Sequence, residues 1–351
     1  MQRRDTIVMG VTAALVALAA ALHLAGAAPL AAFGGSALAL AGIAHLIGES
    51  TDQLGNHLSP AATGIVQSAV GNLPELFVCI FALRAGLVTV VQASLVGSIL
   101  GNALLVLGLA FIAGGWRHGR LRFGGRTPRM IATLLMLAVA AMVLPTLAHA
   151  LHLPAGEHEQ ALSVVCALAL LGVFAVLTRD LLVRSERAVP AAARSRAHAW
   201  SLTTAIAVLA GCGVAAALVS EWFVGALEPA IEAVGIKQAF AGLVIVAIAG
   251  NAVEHAVGIQ LAWRGKAELA VSVVLNSALQ VAVALVPIVV LVSYFIGGAP
   301  FTLAIPPILA ASVFLAVLVV TIVTVDGEAD MVDGAALVGL YVIIAAIFWW
   351  G

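Results

Sequence analysis

Long apolar segments recur along almost the whole chain, and short stretches between them carry most of the charged residues. A membrane-spanning helix needs about 20 consecutive, mainly apolar residues. No segment shows the alternation of apolar and polar positions expected of a barrel strand, so helices must satisfy the backbone hydrogen bonds. We therefore predict an all-α polytopic membrane protein with eleven spans, near residues 6–27, 29–48, 60–84, 87–113, 130–148, 160–178, 200–220, 236–262, 268–294, 301–324 and 332–350.

The composition supports a membrane protein. Of 351 residues, 63% are hydrophobic and only 9% are charged, whereas a soluble domain carries about 25% charged residues. The net charge of −1 says little about partners, and the three cysteines suggest neither a disulfide framework nor a zinc site. The N-terminus resembles a signal peptide, but its apolar run continues to about residue 28, so we expect a retained first helix.

Positive charges are distributed very unevenly over the predicted loops. With a cytoplasmic N-terminus, all but two of the 16 Lys and Arg residues fall on the cytoplasmic side, the exceptions being Arg84 and Lys237. Cytoplasmic loops of membrane proteins carry such an excess of basic residues. We therefore predict a cytoplasmic N-terminus and an outside C-terminus. We also expect a prokaryotic inner membrane as the location.

One stretch of the sequence occurs twice without a gap: GNLPELFVCIFALRAGLVTVVQASLVGSILGNALLVLG at 71–108 and GNAVEHAVGIQLAWRGKAELAVSVVLNSALQVAVALVP at 250–287. Five predicted spans separate equivalent positions, so the copies cross the membrane in opposite directions. Inverted repeats with interrupted helices are a design of transporters. The predicted organisation is a peripheral first helix (1–27), a five-helix repeat (28–180), a basic cytoplasmic linker (181–198) and a second five-helix repeat (199–351).

Each copy places one carboxylate deep inside an apolar run. Such groups are energetically costly in a membrane and usually functional. In each copy an Asn precedes the Glu by three residues, which puts both on one helix face. A proline in the first copy and a glycine in the second should bend the helix and free carbonyl oxygens. The shared motif residues are Gly71, Asn72 and Glu75 in the first copy and Gly250, Asn251 and Glu254 in the second.

The segment after each motif adds polar side chains at helical spacing. Ser98 and Asn102 are four residues apart, and Ser277 and Gln280 are three apart. Hydrogen bonding between helices is the alternative explanation for such residues. Together with the carboxylates they form a set of hard oxygen ligands, which suits Ca²⁺. Two carboxylates could neutralise one divalent ion, and when empty they would repel each other and take up protons, which is sufficient for antiport.

Other ionisable residues suggest an access or proton path. His255 follows Glu254 but points about 100° away on a helix, so it is either a packing residue or a proton carrier. Glu49 and Asp52 follow the second predicted span, and Glu221, Glu228 and Glu232 follow the seventh. Acidic loops at these positions would concentrate cations before entry, although ordinary solvated helix ends would look the same. Glu49 and Glu221 are the best candidates because they lie nearest the apolar runs.

The two long motifs resemble the signature repeats of the calcium/proton exchanger family, within the cation/calcium exchanger superfamily. The resemblance extends along most of the chain and includes SEWFVGALEPAIEAVG at 220–235. It implies eleven helices and proton-driven Ca²⁺ export, with Glu75 and Glu254 as the central cation ligands. Their helpers would be Asn72, Asn251 and the backbone at Gly71 and Gly250, with Ser98, Asn102, Ser277 and Gln280 on the paired helices.

Several alternatives stay open. Exchange of Na⁺ or K⁺ for protons would use the same residue types, and a cation channel could also be lined by acid pairs. An enzyme is not indicated, because the fragment His158-Glu159 lacks the second histidine of an H-E-x-x-H zinc motif and no P-loop is present. We expect Ca²⁺ and protons as substrates, no cofactor, a lipid bilayer as surroundings and no nucleic acid. A homo-oligomer is left open.

Overall fold

The computed structural model describes residues 3–58, 62–63, 66–67, 70–124, 126–187, 200–298 and 300–351. Helices dominate this part of the chain, as predicted, and a short two-stranded ribbon joins two of the loops. The helices are α1 (Arg3–Leu24), α2 (Pro29–Leu54), α3 (Leu73–Arg84), α4 (Val88–His118), α5 (Arg126–Ala150), α6 (Glu159–Arg187), α7 (Leu202–Val234), α8 (Gln238–Phe240, Ala241–Val246 and Ala247–Trp263), α9 (Ala267–Ile296), α10 (Pro307–Thr324) and α11 (Met331–Trp350). The strands are β1 (Leu121–Arg122) and β2 (Glu328–Ala329).

Nine of the described helices are long and apolar enough to cross a membrane: all except α3 and α8. Helix α8 becomes a tenth span if its two arms, Gln238–Ala252 and Glu254–Trp263, cross together, with a bend of 70° between them. The predicted span at 60–84 is described continuously only from residue 70, and its helix α3 covers just the second half. The multi-pass membrane fold is therefore confirmed, while the count of eleven spans is not.

Two helices run on beyond their predicted ends, which corrects the expectation of acidic loops. Helix α2 continues through Leu54, so Glu49 and Asp52 lie inside it. Helix α7 continues through Val234, so Glu221 also lies within a helix, as do Glu228 and Glu232. Glutamate favours helix formation, and α7 ends only at Gly235, which has the left-handed conformation (φ 74°) typical of a helix C-terminus. Charge therefore marks where the apolar run ends, not where the helix ends.

The predicted basic linker falls largely outside the described residues. Helix α6 extends to Arg187, well beyond the apolar run predicted for 160–178, and residues 188–199 are not described. The described chain resumes at Trp200. The division into repeats at 28–180 and 199–351 stays a prediction, because the chain separates by contacts into two compact units that each contain parts of both repeats. Unit 1 comprises residues 1–85 and 173–235, and unit 2 comprises 86–172 and 236–351.

Unit 1 is built on the packing of α2 against α7, with α1 and α3 added to that pair. Phe33 and Phe223 place their rings 4.7 Å apart in this core. Helix α1 buries only Thr12 and Ala19, which fits a peripheral first helix. The predicted kink at Pro74 is instead an interrupted helix: residues 71–72 form a turn, and α3 begins with Pro74 in its first turn. Proline is tolerated there because the first amides of a helix have no partner within it.

One buried tryptophan, Trp200, lies just before α7 and makes hydrogen bonds to both α1 and α2. The indole Nε1 of Trp200 donates to Asp5 Oδ2 at 2.9 Å, and its carbonyl accepts from His57 Nε2 at 2.7 Å. Its backbone N–H donates to Gln53 Oε1 at 3.1 Å. Since Trp200 is only 2% exposed, these bonds satisfy groups that would otherwise be buried without partners.

Unit 2 shows the inversion of the repeats directly. Helices α4 and α9 occupy equivalent positions in the two copies, yet the C-terminal end of α4 lies beside the start of α9. His118 there donates at 3.0 Å to the carbonyl of Trp263, the last residue of α8, four residues before α9 begins. The opposite end of α9 reaches α6, where Tyr294 donates to the Gln160 carbonyl at 3.4 Å. The two equivalent helices therefore run antiparallel, as the odd number of intervening spans predicts.

Small residues allow the helices of unit 2 to approach closely. A Cβ atom on Gly97 of α4 would overlap the backbone of Leu243 in α8, and one on Gly242 would lie 2.6 Å from the Val90 carbonyl oxygen. Helix pairs in membranes gain stability from such close backbone packing. The contact holds the polar face of α4 against the first arm of α8.

The ends of several unit 2 helices carry exposed aromatic residues. Trp116 (76% exposed) and Trp263 lie at the ends of α4 and α8, and Tyr294 and Trp350 (80% exposed) lie at the ends of α9 and α11. Arg117 stacks over Trp263, 5.0 Å from the ring centroid. Tryptophan and tyrosine concentrate at the two membrane–water interfaces, so we expect these helix ends to lie near the membrane surfaces.

Candidate functional site

The predicted site residues fall into the two compact units. Unit 1 contains the first motif and the acidic residues Glu49, Asp52 and Glu221, whereas unit 2 contains all the other candidates. The unit 2 candidates lie on three helices that pack on one another: Ser98 and Asn102 on α4, the second motif on α8, and Ser277 and Gln280 on α9.

The second motif is joined to α4 through its asparagine. Asn251 Nδ2 donates to Ser98 Oγ at 3.1 Å and to the Ala247 carbonyl of its own helix at 3.1 Å. Both side chains are buried, Ser98 completely and Asn251 to all but 4%. Because both amide protons are used, the Asn251 Oδ1 atom is left as an acceptor oxygen whose orientation is fixed by the two bonds.

Glu254 is joined to α9. Ser277 Oγ donates a hydrogen bond to Glu254 Oε2. The carboxylate has further acceptor capacity beyond this one bond, since an ionised carboxyl group offers two oxygens and about four lone-pair directions. Glu254 also lies at the start of the second arm of α8, directly after the 70° bend. The predicted bend therefore exists, but it falls one turn after Gly250.

Asn102 adds an amide to this region at an irregular turn of α4. It lies in the π-helical segment Gly101–Val106, and its Nδ2 donates to the Ser98 carbonyl at 3.0 Å. Its Oδ1 atom is fully buried and makes no hydrogen bond to any described residue. Buried polar atoms usually have a partner, and π-helical turns often occur at functional sites. Asn102 Oδ1 is thus a candidate cation ligand.

The same irregularity recurs at the equivalent place in the second copy. Helix α9 contains the π-helical segment Val281–Leu285, and Gln280 is the residue directly before it. A third π-helical segment, Ala241–Val246, lies in the first arm of α8. The sequence analysis identified Asn102 and Gln280 but not these widened turns, because glycine, asparagine, leucine and valine carry no distinctive π-helical pattern.

His255 is buried in unit 2 rather than lining an open surface. It is 8% exposed, and its ring lies against the backbone of Gly101, where a Cβ atom would be 3.8 Å from its Cε1. Its Nε2 atom has no hydrogen-bond partner among the described residues. The packing interpretation is therefore supported by a contact, while a role as proton carrier stays a prediction.

The first motif lies at the beginning of α3 in unit 1. Asn72 precedes the first helical residue, and Glu75 lies in the first turn with only 7% of its surface exposed. The positive end of the helix dipole and the unpaired amides of the first turn favour a carboxylate there. Gly71 is required by a close approach, since a Cβ atom there would lie 2.7 Å from the Gln67 carbonyl oxygen.

Ser220 of α7 is a residue of this region that the sequence analysis missed. It is fully buried, and its hydroxyl donates to the Pro74 carbonyl at 3.4 Å. The available signal was weak: a serine beside Glu221 at the end of an apolar run. The contact links α7 to the carbonyl that directly precedes Glu75.

The three acidic access candidates differ in their surroundings. Glu49 is half-buried and accepts a hydrogen bond from Gln53 Nε2 at 3.1 Å. Asp52 and Glu221 are exposed on α2 and α7. Glu49 alone of the three therefore combines partial burial with a hydrogen bond that orients its carboxylate.

The donor atoms available are carboxylate, amide and hydroxyl oxygens. Within the described residues no group of three or more His, Cys, Asp or Glu side chains is arranged to hold a metal ion. A site of one or two carboxylates completed by amide and hydroxyl oxygens is of the type that binds a hard cation such as Ca²⁺. The arrangement in unit 2 supplies Glu254 together with oriented oxygens of Asn251 and Asn102.

Comparison with known proteins gives consistent matches over most of the chain. A family model, sodium/calcium exchanger protein, matches residues 28–179 and again 204–350. The chain is 33% identical over 335 residues to a Ca²⁺/H⁺ antiporter of Synechocystis, covering 89% of this chain and 88% of that protein. It is 32% identical over 311 residues to the Ca²⁺/H⁺ antiporter ChaA of Bacillus subtilis, with 87% and 88% covered. The solved structure of native YfkE superposes with a TM-score of 0.82 at 29% identity, covering 98% of this chain and all of that one.

Proposed function

The chain belongs to the sodium/calcium exchanger protein family, and from this premise we propose that it exchanges Ca²⁺ for protons by alternating access. Two relatives that match it over most of their length are Ca²⁺/H⁺ antiporters. The proposed direction is export of Ca²⁺ from the cytoplasm, driven by protons that return. Ca²⁺ and protons are substrates here, and no resident cofactor is part of the proposal.

The observation that carries the proposal is the position of Glu254. Its carboxylate lies at the bend of a helix with a hydroxyl donor on it, and one turn away Asn251 is held by a serine of a second helix. A carboxylate in a membrane-embedded region needs a compensating partner, and a cation or a proton can supply it. Such a group can therefore hold one or the other in turn.

We assign the same role to Glu75. The assignment rests on its equivalent place in the first motif, its burial and its position in the first turn of α3. The other ligands in the proposal are oxygens of Asn72, Asn251, Ser98, Asn102, Ser277 and Gln280, with the backbone at Gly71 and Gly250. Glu49, Asp52 and Glu221 would attract cations on the access paths, and His255 would carry protons.

Exchange follows from charge balance. An ionised carboxylate can be neutralised by a cation or by a proton, so Glu75 and Glu254 can each release a proton when Ca²⁺ arrives and take one up when it leaves. Because each state is neutral, either can be carried through the apolar interior, whereas the empty ionised state is disfavoured. Obligatory alternation between the two loaded states gives antiport without a separate energy source.

The test is uptake by inverted membrane vesicles under an imposed pH gradient, with Ca²⁺, Na⁺, K⁺ and Mg²⁺ compared. We expect Ca²⁺ uptake that depends on the pH gradient. Protons should leave the acidic vesicle interior faster when Ca²⁺ is added to the medium than when it is absent. Glu75→Gln and Glu254→Gln should each abolish it, because glutamine keeps the volume but can neither exchange a proton nor neutralise a cation. Glu268→Gln is the matched control, since Glu268 is exposed at the start of α9.

Three results would contradict the proposal. Near-normal coupled uptake by a folded Glu254→Gln or Glu75→Gln protein would remove that residue from the exchange. Gradient-driven uptake of Na⁺ or K⁺ but not of Ca²⁺ would favour the rival function, monovalent cation/proton exchange, and uptake without proton movement would favour a channel.

A further inference from the structure

A groove runs between α5 and α10 in unit 2. Its volume is about 420 Å³, within the range of about 300–1,000 Å³ that is usual for ligand pockets. Arg129 and Val325 lie at one end, where α5 begins and α10 has just ended. The remaining lining residues are apolar side chains and threonines: Ala132, Thr133, Met136, Leu137, Ala140, Thr321 and Thr324.

The interior of the groove offers few hydrogen-bond donors in spite of its threonines. Each threonine hydroxyl donates within its own helix: Thr133 to the Arg129 carbonyl at 2.9 Å, Thr321 to the Val317 carbonyl at 2.6 Å and Thr324 to the Val320 carbonyl at 2.8 Å. Their methyl groups and the neighbouring aliphatic side chains then form the surface. A polar solute would lose hydration in this groove without compensation, whereas a hydrocarbon chain would not.

Arg129 gives the groove a cationic end. The side chain is exposed, and no carboxylate of the described residues forms an ion pair with it. Its Nη2 donates to the Val325 carbonyl at 3.5 Å, at the long limit for a hydrogen bond. A guanidinium has five N–H donors, so most of them remain for an anion. By contrast, the neighbouring Arg122 is already paired with Glu328 at 3.1 Å.

We propose that this groove binds one anionic phospholipid, with the phosphate on Arg129 and an acyl chain along α5 and α10. The arginine lies at the helix ends next to the β1–β2 ribbon, the end of unit 2 that also carries Arg120 and Arg122. A guanidinium at the level of the headgroup can donate two parallel hydrogen bonds to a phosphate. The apolar part of the groove beyond Arg129 would contact an acyl chain. Basic pockets between membrane helices bind anionic headgroups in this way.

The test is native mass spectrometry of the delipidated full-length protein titrated with phosphatidylglycerol or with phosphatidylcholine of identical chains. We expect one tightly bound phosphatidylglycerol and a preference of about fivefold over phosphatidylcholine, the size expected for one basic residue that faces an anionic headgroup. Both lipids carry the phosphate, but the choline cation of phosphatidylcholine offsets its attraction to the guanidinium. Arg129→Gln should remove the preference, and Arg129→Lys should keep most of it. Arg122→Gln makes the same charge change near the same end of unit 2 and should leave the preference unchanged.

A second variant tests the groove separately from the charge. Ala140→Leu narrows the apolar part of the groove without altering Arg129, and it should weaken the binding of both lipids. If the Ala140→Leu protein does not fold, Thr133→Leu serves the same purpose. Inorganic phosphate at millimolar concentration should not displace the lipid, because it lacks the chain. Equal losses in Arg129→Gln and Arg122→Gln, undiminished binding in the narrowed groove, or displacement by phosphate would each overturn the proposal.

Discussion

Asn251 donates a hydrogen bond to Ser98, and through it the second copy of the repeated motif is tied to the first copy inside one compact unit. Ser277 is the repeat equivalent of Ser98, yet it bonds to Glu254 instead. The two equivalent serines therefore hold two neighbouring residues of a single motif, one turn apart on α8. The symmetry of the sequence gives each serine a comparable place on its helix, and packing against α8 brings Ser98 to the asparagine and Ser277 to the glutamate of that motif.

The bond from Ser277 to Glu254 predicts a selective loss of affinity. Ser277→Ala removes a donor from a carboxylate, and hydrogen bonds to charged groups contribute about 1.5–3 kcal/mol. We expect the apparent KM for Ca²⁺ to rise by about tenfold or more, with the protein still folded. Calcium uptake by vesicles at several Ca²⁺ concentrations measures this.

Ser312→Ala is the control for that variant. Ser312 is also a buried serine on a spanning helix, but its hydroxyl donates only to the Ile308 carbonyl of its own helix. Its removal should leave the KM unchanged. An equal rise in KM for both variants would show that the loss reflects general disturbance of the helices and not the contact with Glu254.

The Asn251–Ser98 bond predicts energetic coupling between α8 and α4. Asn251→Ala should lower the free energy of unfolding by about 1–3 kcal/mol, because it removes the two buried hydrogen bonds that the Asn251 amide donates. In a double-mutant cycle with Ser98→Ala, the two losses should be less than additive, with a coupling energy of about 1 kcal/mol. Chemical unfolding in detergent, monitored by tryptophan fluorescence, gives the four values. Additive losses would mean that the bond contributes nothing to the stability of unit 2.

The different surroundings of the acidic access candidates predict unequal effects. Glu49→Gln should raise the apparent KM for Ca²⁺ and weaken its dependence on salt, because it removes a charge that attracts the cation. The rise in KM should be larger than for an exposed residue, because a half-buried charge is screened less. Glu221→Gln should have a smaller effect, since Glu221 is exposed. Glu157→Gln, an exposed position between α5 and α6 that belongs to neither acidic group, is the control and should behave as the unchanged protein. A complete loss of transport at saturating Ca²⁺ in Glu49→Gln would place Glu49 in the ion site itself.

The distribution of basic residues predicts the orientation of the ends. A reporter fused at Gly351 should be outside, and one inserted in the 179–199 region should be cytoplasmic. Alkaline phosphatase and green fluorescent protein fusions, which are active on opposite sides of a bacterial inner membrane, distinguish the two. Both reporters on the same side would contradict the topology and the direction of transport proposed from it.

Most of the architecture could be predicted from the sequence, because its determinants are local or simple to count. Apolar runs of sufficient length predict the spans, and the helices found at α4, α5, α9 and α11 agree with them closely. The repeat and the odd number of spans between its copies predict the antiparallel arrangement of α4 and α9. The motif residues could be identified because carboxylates are rare within apolar runs, where a charge is energetically costly.

What required the tertiary structure was which groups meet, and where regular helices break. Nothing in the sequence distinguishes a serine that bonds to Asn251 from one that bonds to Glu254, since both occupy the same repeat position. Hydropathy cannot show that α7 continues past Glu221, because a helix is held by backbone hydrogen bonds that do not depend on side-chain polarity. The interruption before Pro74, the bend after Gly250 and the groove beside Arg129 likewise depend on how neighbouring helices pack. The hydropathy pattern of the sequence indicates which segments favour the membrane, but the contacts between the helices depend on how their surfaces pack.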